Sequence, residues 1–237
     1  MIFIGPVLLV LAAVWVLRRR APVAAVVAYR RVGTPPETMR RKAQWTSLAR
    51  LEKDLQFYAR CGFTCVFPDE LARARKPLVL AFFGGYQSFF TEVFPLLQKY
   101  RAKACVFLVQ NTLGTYDKWH NPADGPWQPV LTQAQLDELA ASGLVAFGTL
   151  GLACEAGNGA WAIRLTQNDL EESISRLKKL HHISVCAAAC TSAHEPALNT
   201  PLPVLRARYG LNAPAQTSRL RVVYPSLRTR FLLWQHR

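Results

Sequence analysis

The chain has 237 residues, 51% of them apolar, with 29 Lys/Arg against 15 Asp/Glu and a formal net charge of +14. That length suits one domain with a real core, and that apolar share excludes a disordered chain. The charge sits at the ends. Residues 1–42 hold eight basic residues and one acid, residues 43–195 hold fourteen of each sign, and residues 196–237 hold seven arginines and no acid. Basic ends suit anionic lipid or an acidic polymer. With no zinc-finger spacing, Arg-rich helix or aromatic RNA-binding motif, nucleic acid is not an expected partner.

Ile2 to Leu17 is an uncharged apolar run broken only by Gly5 and Pro6, and Arg18, Arg19 and Arg20 follow it. Slightly short of the ~20 residues of a full span, it reads as one transmembrane helix over residues 1–20. A cleaved signal peptide would carry its charges before the apolar run. Basic residues after the span favour a single-pass protein with its domain on the cytoplasmic face. The domain proper is then 21–237.

Ala21 to Tyr29 reads as a buried strand, ended by Arg30-Arg31-Val32-Gly33 and Pro35-Pro36. Residues 38–60 carry a helical stripe of Leu48, Leu51, Leu55 and Tyr58, closed by Gly62. Strands are expected at 64–67 and 78–83, then a helix over 88–101 capped by Ser88, then a strand over 103–109. Residues 111–131 form a long loop. Thr132 caps a helix through Ser142, and a strand over 144–148 follows Gly143. Thr166 opens a helix to Leu180 with acids early and lysines late, matching the helix dipole, and 183–189 is a last strand. This alternation predicts an α/β fold of parallel strands, a distorted (β/α) barrel in preference to an open sheet.

The order of these segments resembles the polysaccharide deacetylases (the NodB-homology, carbohydrate esterase family 4 group) across roughly residues 23–195. VVAYRRVG at 26–33 is similar to that family's opening Tyr-His-Arg-Val strand. KPLVLAFFGGYQSFFTEVFPLLQKYRAKACVFLV at 76–109 resembles its first motif strand, Gly-Tyr turn, helix and next strand. YDKWHNPADGPWQPVLTQAQLDELAASGLVAFGTLG at 116–151 resembles the loop, helix and second motif strand. The resemblance implies metal-assisted amide hydrolysis of an N-acetylated polysaccharide, usually with zinc held by one Asp and two His and a second Asp as general base.

The family's Thr-Phe-Asp-Asp-Gly-Tyr stands here as Ala81-Phe82-Phe83-Gly84-Gly85-Tyr86. The base position is therefore Phe83 and the metal-Asp position Gly84. Aligning Gly148-Thr149 with the second motif places Leu150 and Cys154 where the two imidazoles would stand. The third motif falls near Val185–Cys190 without its Pro or aromatic. No catalytic residue and no cofactor is expected. The chain reads as a pseudoenzyme, membrane-anchored, with a glycan or polysaccharide-synthesis proteins as partners.

Two alternatives stay open. One is an active hydrolase with a relocated zinc site. Its candidates are Asp117, His120 and Asp124 in the loop, or Cys186, Cys190 and Cys154 converging at the barrel mouth. The other is a membrane-surface adaptor. Tyr86, Asp117, Trp119 and His120 are candidate substrate-loop residues. Arg18, Arg19, Arg20, Arg219, Arg221, Arg228 and Arg230 are candidate contacts to an anionic surface. His181 and His182 read as helix-end residues. The six cysteines do not settle the redox compartment.

Overall fold

The computed structural model describes residues 25–40, 42, 45–119, 122–152, 155–156, 161–162, 166–190, 199–206 and 221–223. The segment expected to span a membrane, with Arg18, Arg19 and Arg20, lies outside them. Among the described residues no helix is long and apolar enough to cross a membrane.

The framework is a curled parallel sheet. Its main strands are β1 (Ala25–Tyr29), β5 (Pro77–Phe83), β6 (Ala104–Leu108), β7 (Val145–Thr149), β10 (Val185–Cys190), β11 (Val204–Arg206) and β12 (Arg221–Val223). They lie in the order β11-β10-β7-β6-β5-β1-β12, and β4 (Thr64–Cys65) pairs with the start of β5. Two small ribbons complete the set, β2 (Arg31–Val32) with β3 (Trp45–Thr46) and β8 (Glu155–Ala156) with β9 (Trp161–Ala162). Among the described strands β11 and β12 are the two edges, so the sheet is a half-barrel. The expected barrel is correct in its curled parallel α/β character, and its closure is not seen there.

The strand sequences are near-continuous apolar runs because both faces are covered. Alternate side chains leave on opposite sides. Val27, Tyr29, Leu78, Leu80, Phe82, Val106 and Leu108 face the helices, while Val26, Ala28, Val79, Ala81, Phe83, Cys105 and Phe107 face the concave side. A buried polar tie fixes the first helix, α1 (Leu48–Arg60), to β1. The Tyr29 hydroxyl donates to Asp54 Oδ2 at 3.3 Å, and Arg50 Nε donates to Asp54 Oδ1 at 3.0 Å.

Three expectations are corrected. The helix expected from residue 38 begins at Leu48, where Ser47 accepts the Arg50 N–H, and Trp45–Thr46 instead pairs with Arg31–Val32. The β-favouring Trp45-Thr46 is taken up in that pairing, so the helix starts only after it. Ser88 is helical and makes no side-chain cap. Pro95 has no N–H to give to the Thr91 carbonyl, so the ladder slips: Phe94 N–H bonds Phe89 O in a π turn before α2 (Phe94–Tyr100). Lastly, no strand is expected beyond residue 189, yet Arg221–Val223 is one. It adds to β1 as β12, with Arg221 beside Ala25.

The caps at Thr132 and Thr166 stand as expected. Each forms a capping box, with Gln135 at the start of α3 (Gln133–Ala141) and with Asp169 at the start of α4 (Gln167–His181). His182 ends α4 in the left-handed conformation, so the two histidines are helix-end residues.

Candidate functional site

Parallel strands bring their C-terminal ends to one rim, the usual site face of α/β barrels. On that rim β5 ends at Phe83, and the chain turns through Gly84 and Gly85 at φ 101° and 61°. Phe83 is 1% exposed and meets the Phe107 ring edge-on at 5.2 Å. Leu150, directly after β7, is fully buried, and its N–H donates to Leu108 O at 2.8 Å. Phe83, Phe107, Tyr86, Trp119, Val130 and Leu150 belong to one apolar cluster. On the helix side of the turn a small space of about 10 Å³, bordered by Val32, Phe82, Phe83, Tyr86, Phe89 and Val93, has room for about one water.

Gly84 fits this arrangement because it has no side chain. A Cβ there would meet Tyr86 Cε2 at 2.7 Å. A metal ion of the kind the resemblance implies does not fit the residues at these positions. Gly84 offers no donor, Leu150 offers hydrocarbon, and Phe83 can neither ligate nor accept a proton. Among the described residues no group of three His, Cys, Asp or Glu side chains is placed to share a metal. Cys154, the remaining ligand position, lies outside them.

Asp117 is a buried clamp. It is completely buried and forms an ion pair with Arg31, which is 1% exposed. Its Oδ1 accepts the Gln128 N–H at 2.5 Å, and its own N–H donates to Gln128 O at 3.0 Å. The bridges Tyr86–Val130 and Tyr116–Pro129 flank this contact. The Arg31 guanidinium lies 5.0 Å from the Tyr86 ring centre and 5.8 Å from that of Trp45. Burial works against its charge, but Tyr86 and Asp117 outweigh burial, and its pKa is raised. Burial also pushes the Tyr86 phenol up.

Sequence reasoning read Arg31 only as a strand terminator and passed over Trp45. The available signal was a charge directly after a fully buried strand, at the rim where sites form. Trp119 is 6% exposed, with its ring centre 6.3 Å from that of Tyr86. It is therefore a wall of the cluster and is not free to meet substrate. His120, Arg219, Arg228 and Arg230 lie outside the described residues, as does the side chain of Arg221.

Cys186 does not stand at the barrel mouth. As the second residue of β10 it meets Cys105, the second residue of β6, with 3.6 Å between the sulfurs. Cys65 is pushed up to about 12 by burial, and Cys105 is pushed up by burial and then by Cys186. Since the thiolate is the nucleophile, Cys65 and Cys105 should stay unmodified by iodoacetamide near neutral pH in the folded protein and label once urea unfolds it. Peptide mapping by mass spectrometry reads this; labelling of the fully buried Cys105, or of the half-buried Cys65, in the native state at the rate of an exposed thiol would overturn the expectation.

This curled parallel sheet has the fold of the polysaccharide deacetylases. IcaB from Ammonifex degensii superposes with a TM-score of 0.56 at 17% identity, covering 70% of this chain and 72% of IcaB. The Streptococcus pyogenes deacetylase PplD, solved with acetate, gives 0.54 at 16% identity, covering 73% and 76%. The BpsB deacetylase domain from Bordetella bronchiseptica gives 0.50 at 18% identity, covering 85% of this chain and 96% of that domain. No family model matches the sequence, and no curated protein does.

Proposed function

We propose that this chain is a membrane-tethered, polysaccharide deacetylase-like protein that binds a glycan in surface-polysaccharide metabolism without hydrolysing it. The observation that carries this is the burial of the rim positions at the ends of β5 and β7. Phe83 and Leu150 are both buried in the apolar cluster, at positions the resemblance gives to the general base and a metal ligand. A general base must reach the proton it takes, and a metal site needs donors around an open position. The fold, shared with deacetylases from three named organisms, supports polysaccharide as the ligand class.

The test is acetate release from N-acetylglucosamine oligomers by the purified full chain with zinc added, beside a calorimetric zinc titration. No release and no stoichiometric zinc binding are expected. Release that a chelator abolishes, and that Cys154→Ala also abolishes, would overturn the proposal in favour of a relocated site. Tethering through residues 1–20, with the domain in the cytoplasm, is part of the same proposal. A reporter fused to the C-terminus should be active only in a cytoplasmic-reporting form.

A further inference from the structure

We propose that the pocket beside Arg31, Trp45 and Tyr86 binds the carboxylate of an acidic sugar. This rests on the glycan-binding reading above and names the glycan's chemistry. The pocket has a volume of about 170 Å³, and Arg31, Trp45, Tyr86, Gln87, Ser88 and Gln128 line it. At roughly 10–15 Å³ per water on this measure, the pocket has room for one sugar-sized group.

The lining is short of acceptors. On residues that line it, Arg31 Nε and Nη1, Trp45 Nε1 and the Tyr86 hydroxyl are sealed from water and make no well-aligned hydrogen bond, the hydroxyl having only the Arg31 guanidinium beside it, so a ligand engages them through a small shift of these side chains. Native folds leave few such groups, because each is destabilising until an acceptor arrives. Three are N–H groups, which can only donate, and the fourth is a hydroxyl, so together they call for an oxygen-rich ligand. No carboxylate lines the pocket. Asp117 already holds Arg31 through Nη2, and Glu92 packs against Gly33. The guanidiniums of Arg30 and Arg31 both act on Tyr86 against the one carboxylate of Asp117. The local balance is positive, which favours an anionic acceptor over a neutral one.

The surroundings favour a sugar as the carrier of that carboxylate. The loop that supplies Gln128 also carries Tyr116 and Trp127, which are 51% and 41% exposed. These are two of three large apolar side chains exposed among the described residues. Amphipathic aromatic faces of this kind suit the mixed apolar and hydroxylated surface of sugar rings. The acid group would enter the pocket while neighbouring rings lie across the loop.

The test is calorimetric titration of the full chain in detergent with four probes: cellouronate tetramer, its neutral counterpart cellotetraose, N-acetylglucosamine tetramer, and sodium acetate. The acidic tetramer should bind at least about tenfold more tightly than cellotetraose and acetate. The paired variant Trp45→Phe/Tyr86→Phe, which removes two donors and keeps both rings' bulk, should lose about tenfold or more for that tetramer. Circular dichroism would verify that the variant folds. Equal binding of cellotetraose, equal binding of acetate, or an unchanged variant would each overturn the inference. If a neutral oligomer binds and the acidic one does not, this inference falls and the glycan-binding reading stands. If no oligomer binds, both fall.

Discussion

Replacing Asp117 by alanine is expected to destabilise the protein by about 3–5 kcal/mol, a large part of the ~5–15 kcal/mol that holds a domain together. Both partners of the Arg31–Asp117 pair are sealed from water, at 1% and 0% side-chain exposure. Removing the carboxylate leaves the guanidinium buried between Trp45 and Tyr86 with no counter-charge. It also takes the acceptor from Gln128 N–H, which anchors the loop. Urea denaturation should show the loss as a lower midpoint with an unchanged slope. Asp117→Asn keeps an acceptor and should lose less. The double change Arg31→Met/Asp117→Leu should be far more stable than the sum of its parts, since no lone charge remains. A loss below about 1 kcal/mol for Asp117→Ala would mean that water reaches the pair.

That pair also marks the limit of what the sequence could reveal. Val26 to Tyr29, Leu78 to Phe83 and Ala104 to Leu108 were legible as strands because burial on both faces writes a continuous apolar run. Thr132 and Thr166 were legible as caps because a capping box is closed within four residues. Arg31 and Asp117 are 86 residues apart, and nothing local announces their pairing. Asp117 was accordingly weighed as a site acid, although its oxygens are spent on Arg31 and Gln128. The return of Arg221–Val223 to β1 was equally hidden, since three residues carry no period. Ser88 had the residue type of a cap, but its own backbone is helical and leaves its side chain no capping bond. The rim positions Phe83, Gly84 and Leu150 were reachable only through the order of segments that the chain shares with deacetylases. The structure gathers Phe83 and Leu150 into one cluster, with the Gly84 turn beside it. The order alone did not show that Tyr86 occupies the space where a side chain at Gly84 would begin.

That occupied space makes introduction of the deacetylase motif the second experiment with a large effect. Phe83→Asp/Gly84→Asp rewrites the local sequence as the deacetylase pattern, and it is expected to weaken the fold without producing activity. Removing the Phe83 ring from its contact with Phe107 should cost about 3–5 kcal/mol, the usual range for a large aromatic in a core. The carboxylate placed there would stand against Phe107 within the buried apolar cluster, and burial would raise its pKa. The folded state then holds a proton that the unfolded chain releases near pH 4. Stability is retained below that pH and falls as pH rises toward the raised folded pKa. The variant should therefore melt lower at pH 8 than at pH 5, beyond any such difference in the parent. At Gly84 the new Cβ meets the Tyr86 ring at 2.7 Å, on a backbone at φ 101° that side chains rarely adopt. Tyr86 would have to leave its place over the turn, loosening Arg31 and the loop with it. Zinc should not rescue the variant, because Leu150, at the position the resemblance gives to an imidazole, offers no donor. Acetate release at near-parental stability would show instead that two side chains were all the site had lost.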